Sequence, residues 1–248
     1  MDLVAFFKEY PRVAIAFSGG VDSAYLLYAA KTADAIVTAY YVKSQFQPQF
    51  ELDDAVRLAE ELSVPMKVIS LDVLAEEDII KNPKNRCYYC KNRIFTAIRE
   101  AAALDGYEVL LDGTNASDDE GDRPGMRALR ELSVLSPLKI CGLCKSDVRR
   151  LSKEAGLFTW DKPAYACLAT RVRSGERITA EVLVRIEKAE NYLMSLGFSD
   201  LRVRVSGEEA KLQLPKEQFE MFYERREEIE AQLKEYFGTV VFDTNGRP

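Results

Sequence analysis

Val13-Ala14-Ile15-Ala16-Phe17-Ser18-Gly19-Gly20-Val21-Asp22-Ser23 decides the fold. The apolar run Val13 to Phe17 reads as a buried strand, the two glycines break it, and Val21 to Ala33, rich in Ala and Leu, reads as the helix that follows. Glycines at that turn let the backbone bend sharply and approach a ligand with no Cβ in the way. The free N–H groups of a helix start form an anion site there, reinforced by the helix dipole. Ser18 and Ser23 add hydroxyl donors. Asp22 is the odd member, because a carboxylate repels phosphate unless a divalent cation stands between them, which gives it a Mg²⁺-linked role. The competing reading is a Gly-Gly turn whose Asp-Ser only caps the helix. No Gly-Lys-Ser/Thr ending follows, as a Walker A loop requires, and the dinucleotide-binding glycine spacing is absent, so kinase and dehydrogenase readings fall.

Outward from this turn the alternation repeats. Ala35 to Val42, Met66 to Ser70 and Val109 to Asp112 read as further strands, and Asp53 to Leu62, Lys91 to Leu104 and Ser146 to Ala155 as helices. The expected fold class is α/β, a doubly wound parallel sheet, in a domain spanning 1–165. Asp161 to Gly175 has no periodic element and reads as a functional loop. Beyond it, a helix from Thr179 to about Leu196, strands Leu201 to Val205 and Ala210 to Leu214, a helix Lys216 to Tyr236 and a strand Thr239 to Phe242 make a small α+β module, 166–248.

Composition narrows the chemistry. Among 248 residues, 34 Lys and Arg stand against 40 Asp and Glu, a net charge of −6, with five cysteines and no histidine. Ser-His-Asp and Cys-His nucleophiles, imidazole metal sites and imidazole bases are therefore excluded. No stretch approaches a membrane span and the N-terminus lacks a secretory pattern, so a cytoplasmic location is expected, with no membrane partner. In that reducing compartment the cysteines read as metal ligands or reactive thiols. Overall acidity argues against non-specific nucleic-acid binding.

Two further groups carry chemistry. Asp112-Gly113-Thr114-Asn115 closes a strand and is followed by Asp118, Asp119, Glu120, Asp122, Arg123 and Pro124. It reads either as a ligand loop, with close backbone approach and hydroxyl or amide contacts to a ligand and Arg123 neutralising a phosphate or carboxylate, or as a solvated acidic loop with a helix start at Pro124. Cys87-Tyr88-Tyr89-Cys90 and Cys141-Gly142-Leu143-Cys144 each stand just ahead of a helix, whose N-terminus favours thiolates, and Cys167 stands alone in Ala166-Cys167-Leu168-Ala169-Thr170-Arg171. The two pairs could form a four-thiolate zinc site; three thiolates could instead hold a cluster with one open iron. Arg171 and Arg173, and Arg202 and Arg204, alternate along extended chain and suit a phosphate or biscarboxylate, or are edge charges that discourage aggregation.

The Ser-Gly-Gly-x-Asp-Ser loop resembles that of the PP-loop ATP pyrophosphatase superfamily (adenine nucleotide alpha hydrolase-like), which implies ATP-binding at Ser18, Gly19, Gly20, Asp22, Ser23, Gly113, Thr114 and Arg123. The whole series, through Arg-Cys-Tyr-Tyr-Cys-Lys, Asp-Gly-Thr-Asn, Arg-Pro-Gly, Ala-Cys-Leu-Ala-Thr-Arg and Arg202-Val203-Arg204, is similar to the LarE family, sulfur transferases of nickel-pincer nucleotide synthesis for lactate racemase. That resemblance implies ATP and Mg²⁺ as cofactors and adenylation of a carboxylate of pyridinium-3,5-biscarboxylic acid mononucleotide, followed by sulfur insertion. It implies Asp22 and Cys167 as catalytic and Arg171, Arg202 and Arg204 on the substrate. A [4Fe-4S] cluster on Cys87, Cys90 and Cys167 would take up sulfide from an external donor. In other members of the family the cysteine aligned with Cys167 is sacrificed to dehydroalanine. A homo-oligomer, with a hexamer as the suggested form, is implied too. Competing readings are an amidating synthetase of the NAD or GMP synthetase type and a nucleotide-binding regulator with structural zinc.

Overall fold

The computed structural model describes residues 1–118 and 124–247. They form two compact units, Met1–Asp72 with Asn85–Lys162, and Val73–Lys84 with Pro163–Pro248.

The first unit is built on a parallel sheet of β1 (Arg12–Ala16), β2 (Ile36–Lys43), β3 (Met66–Ser70) and β4 (Leu110–Leu111), in the order β3-β2-β1-β4. This is the α/β architecture expected from the alternation. Val13, Ala14 and Ile15 of β1 are fully buried, as a strand covered on both faces must be, which is why the run is apolar without alternation. The helices Val21–Thr32 and Gln49–Glu61 connect β1 to β2 and β2 to β3. The chain moves outward from β1 through β2 to β3, then places β4 on the other side of β1. The strand order therefore reverses between β1 and β4, where open α/β sheets bind ligands beyond the strand carboxyl ends. A parallel bridge from Leu111 to Leu135 extends the sheet past β4.

One boundary differs from the sequence expectation. The helix expected from Lys91 begins at Arg86 and runs to Leu104, so Cys87 and Cys90 lie inside its first turns rather than ahead of it. Asn85 at its start makes no side-chain cap. Without a cap or an apolar period over Arg-Cys-Tyr-Tyr, nothing local marked the beginning; Ile98 and Ala102 further along supply the burial that holds the helix.

The second unit carries β5 (Arg202–Ser206) and β6 (Glu209–Gln213), antiparallel, with β7 (Thr239–Phe242) parallel to β6. The helix Ala180–Ser195 is capped by Thr179, whose hydroxyl accepts from the Val182 N–H at 3.2 Å. Thr179→Ala should lower stability by about 1 kcal/mol, read from the urea midpoint. The single helix expected over Lys216 to Tyr236 is instead a short turn followed by Phe219–Glu224 and Arg226–Lys234. The break at Arg225 lets Phe219 and Phe222 turn onto Phe242 of β7, at centroid distances of 4.8 and 4.1 Å, while Ile229 and Leu233 bury separately. Segment 73–84 joins this unit through Asn82, whose amide donates to the carbonyls of Val172 and Arg173 at 3.3 and 2.9 Å. Among the described residues no helix is long and apolar enough to cross a membrane.

Candidate functional site

The Ser18–Ser23 loop leaves β1 at the switch point and the Asp112–Asn115 loop leaves β4 beside it. Gly19 has φ +72°, and a Cβ there would stand 3.2 Å from both the Ala55 Cβ and the Glu51 carbonyl oxygen. Only glycine takes that conformation without strain. Ser23 Oγ donates to the Gly20 carbonyl at 3.1 Å and accepts from the Ser18 N–H at 3.3 Å, so the loop is closed on itself. Gly113 lies against it so closely that a Cβ would fall 2.8 Å from the Ser23 backbone nitrogen. Gly113→Ala must push the two loops apart, and should lower stability by about 1–3 kcal/mol, read from the urea midpoint.

Asp22 points into this junction. Its carboxylate accepts from the Asn115 amide at 3.2 Å and from Lys145 Nζ at 2.5 Å. Asn115 is itself pinned, its N–H donating to Asp118 at 2.9 Å. Thr114 is buried, and its hydroxyl donates to Asp112 at 2.5 Å, while Ser136 donates to the other Asp112 oxygen at 2.6 Å. Thr114 thus braces the loop from within. Arg123, with Asp119, Glu120 and Asp122, lies outside the described residues.

Lys145 is a residue that sequence reasoning passed over, because the cysteines beside it drew the attention. It opens the helix Lys145–Glu154, and its N–H donates to Ser117 at 2.9 Å. The signal in the sequence was a cation opening a helix, where the dipole favours an anion instead. Cys144 also acquires a role, capping that helix in a reciprocal box with Asp147, whose carboxylate accepts from the Cys144 N–H at 3.1 Å and its thiol at 2.7 Å. Those two bonds hold the Asp147 carboxyl below its ordinary pKa. Burial pushes the Cys141 thiol up, which makes it a poor thiolate.

Cys87 is exposed and Cys90 half-buried, one helical turn apart, and Arg86 is within reach of the Cys87 sulfur at 3.8 Å. Among the described residues, no three Cys, Asp or Glu side chains are grouped so that they could hold a metal ion. The four-thiolate set of Cys87, Cys90, Cys141 and Cys144 is therefore not assembled, and within either unit taken alone no three-thiolate set is assembled either.

In the second unit, Cys167 is half-buried at the start of the turn Leu168–Arg171. The three arginines assigned to substrate are in different states. Arg171 is fully buried and paired with Glu190, Nε to Oε1 at 2.8 Å and Nη2 to Oε2 at 3.1 Å, and its Nη1 donates to the Ala166 carbonyl and Thr170 hydroxyl. Burial opposes its charge, but Glu190 outweighs that and keeps its pKa above the usual value. Its donors are spent inside the chain, which makes it a brace rather than an open hand. Arg202 is buried with carbonyl partners only, Leu201 and Ala164 at 2.6 Å each, and burial followed by the nearby Arg171 lowers its pKa. Arg204 is exposed and donates to Gln213 and the Thr170 carbonyl. Arg202 makes no ion pair with a carboxylate among the described residues, and its donors meet the carbonyls of Leu201 and Ala164.

The chain is 34% identical, over 98% of its own length and 90% of the other's, to the pyridinium-3,5-bisthiocarboxylic acid mononucleotide synthase of Lactiplantibacillus plantarum. It belongs to the LarE family. An uncharacterized protein of Synechocystis is 38% identical over 89% of this chain and 83% of its own. A tRNA-specific 2-thiouridylase of Pseudothermotoga lettingae is 27% identical over 61% of this chain and 54% of its own, which ties the LarE fold to the wider PP-loop superfamily. No protein-family model matches the chain.

Proposed function

We propose that this protein is an ATP-dependent sulfur transferase that adenylates a carboxylate of pyridinium-3,5-biscarboxylic acid mononucleotide and converts it to a thiocarboxylate. The observation that carries the reading is Asp22 in the Ser18–Ser23 loop at the β1/β4 switch point, already paired with a cation. The Lys145 ammonium pairs with the Asp22 carboxylate at 2.5 Å, which supports a carboxylate that takes a cation. Asp22 would hold Mg²⁺, which supplies charge neutralisation between the carboxylate and the phosphates. Lys145, displaced from Asp22, then turns its charge to the phosphates, and the amides from Gly19 to Ser23 hold them. The substrate carboxylate attacks the α-phosphorus and pyrophosphate leaves with the bonding electrons. A sulfur nucleophile next attacks the acyl carbon and AMP leaves. Arg202 and Arg204 bind the anionic groups of the mononucleotide.

The sulfur route is proposed to use a [4Fe-4S] cluster on Cys87, Cys90 and Cys167, fed by an external sulfide donor. In its favour are three thiols that are exposed (Cys87) or half-buried (Cys90 and Cys167), in a chain with no histidine to compete for the metal. Sacrifice of Cys167, which is half-buried at the start of the Leu168–Arg171 turn, is the second reading. Iron and acid-labile sulfide analysis of anaerobic protein separates them. About four irons per chain, lost in Cys87→Ala and in Cys90→Ala, supports the cluster; no iron, with one turnover and a dehydroalanine at position 167, supports sacrifice. A homo-oligomer is proposed as well, to be read by light scattering.

A further inference from the structure

We infer that Glu190 is a positioning residue that fixes the distance between the sulfur-delivering loop and the anion-binding arginines. This rests on the proposed sulfur transfer and adds to it a residue on no reacting atom. Glu190 lies on the helix Ala180–Ser195, and its side chain is wholly buried. One carboxylate there collects three partner residues from two segments. Tyr165, two residues before Cys167, donates its hydroxyl to Oε2. Arg171, four residues after Cys167, donates twice. The N–H of Val203, which stands between Arg202 and Arg204, donates to Oε1 at 2.9 Å.

The pinning extends to the peptides next to Cys167. Arg171 holds the Ala166 carbonyl at 2.7 Å, and the Thr170 N–H and hydroxyl hold the Cys167 carbonyl at 2.9 and 2.8 Å. The backbone on both sides of the thiol is therefore immobilised, and through Glu190 it is immobilised against the strand that carries Arg202 and Arg204. Tyr165 completes the frame, its ring lying 4.5 Å from the Arg171 guanidinium carbon and 5.2 Å from that of Arg202. A fully buried carboxylate is costly unless each lone pair is used, and here all the donors come from the loop and strand that the chemistry needs in register. A carboxylate that only stabilised the fold would not have to join these two segments.

The consequence is a coupling role. When sulfur delivery is misplaced by about an ångström, transfer slows by about 100-fold. Adenylation does not use the Cys167 sulfur, so when sulfur delivery slows more than adenylation the acyl adenylate waits and is lost to water, whose oxygen attacks the mixed anhydride and returns carboxylate and AMP. The readout is pyrophosphate released per thiocarboxylate formed. It should stay close to one in the unaltered protein and rise about tenfold or more in Glu190→Gln, which keeps the shape but not the charge. Tyr165→Phe, removing a single bond, should raise it by a smaller factor and serves if Glu190→Gln does not fold. Protection of the Cys167 thiol from iodoacetamide by nicotinic acid mononucleotide, followed by peptide mass spectrometry in cluster-free protein, should weaken in both variants while ATP binding stays unchanged. A ratio held at the unaltered value in a folded variant, with both rates reduced alike, overturns the inference and leaves Glu190 structural. Absence of pyrophosphate release in the unaltered protein would instead overturn the proposed function itself.

Discussion

Asp22→Ala should abolish nearly all pyrophosphate release while leaving the protein folded. The expected loss in kcat/KM for ATP is about 10²- to 10³-fold, the scale of removing one preorganised charge contact from a phosphoryl-type transition state. The stability cost should be about 1 kcal/mol or less, because the Asp22–Lys145 pair is partly exposed to water, with side chains 22% and 36% accessible. That asymmetry makes the variant informative. Asp22→Asn should behave similarly, since an amide can still meet Asn115 but cannot hold Mg²⁺. A Gly-Gly turn whose Asp only capped the helix predicts the reverse, a modest change in stability and none in turnover.

Arg171→Met should be the most destabilising single substitution in the second unit. It removes both guanidinium contacts and leaves the Glu190 carboxylate buried with only Tyr165 and the Val203 N–H. Breaking a fully buried pair by deleting one partner costs about 3–5 kcal/mol. For a chain of this size that lowers Tm by about 10 °C in a thermal scan. Removing both charges together, in Arg171→Met with Glu190→Leu, should restore part of the loss, because an apolar pair packs where an unpaired charge does not. Sulfur transfer should not return with it. A double variant that recovered stability and coupled turnover together would show that the pair serves the fold alone.

The strand-turn-helix around Ser18–Ser23 was legible because strand, glycines and helix are contiguous: Val13 to Ser23 contains its own structural context. The parallel sheet followed from the same cause, since each strand is a short apolar run set off by turns. What depended on tertiary contact was not legible. Segment 73–84 belongs with the second unit through contacts with residues ninety or more positions away, Asn82 with Val172 and Arg173 among them, together with Ile80 with Ile178 and Glu77 with Arg177. The Arg86 start was hidden because no cap marks it. Arg171 read as an open ligand-binding residue because its partner, Glu190, sits on a helix otherwise taken for an ordinary amphipathic one. Glu190 left a trace, however. It falls in the stripe of Val182, Leu183, Ile186, Ala189 and Leu193, all buried, and a carboxylate in an apolar stripe implies a buried cationic partner. Arg171 is that partner, and Lys145 shows the same lesson at the other site, where a helix-start cation found its meaning only beside Asp22.

The central claim is tested most directly by incubating the anaerobic protein with ATP, Mg²⁺, sulfide and pyridinium-3,5-biscarboxylic acid mononucleotide, then following pyrophosphate and the mass of the mononucleotide together. The account predicts ATP-dependent pyrophosphate release and a product in which sulfur has replaced a carboxylate oxygen, both lost in Asp22→Ala and the sulfur product alone lost in Cys167→Ala. An amide formed from ammonia by Cys167→Ala at full rate, or no pyrophosphate release with the mononucleotide, would contradict it.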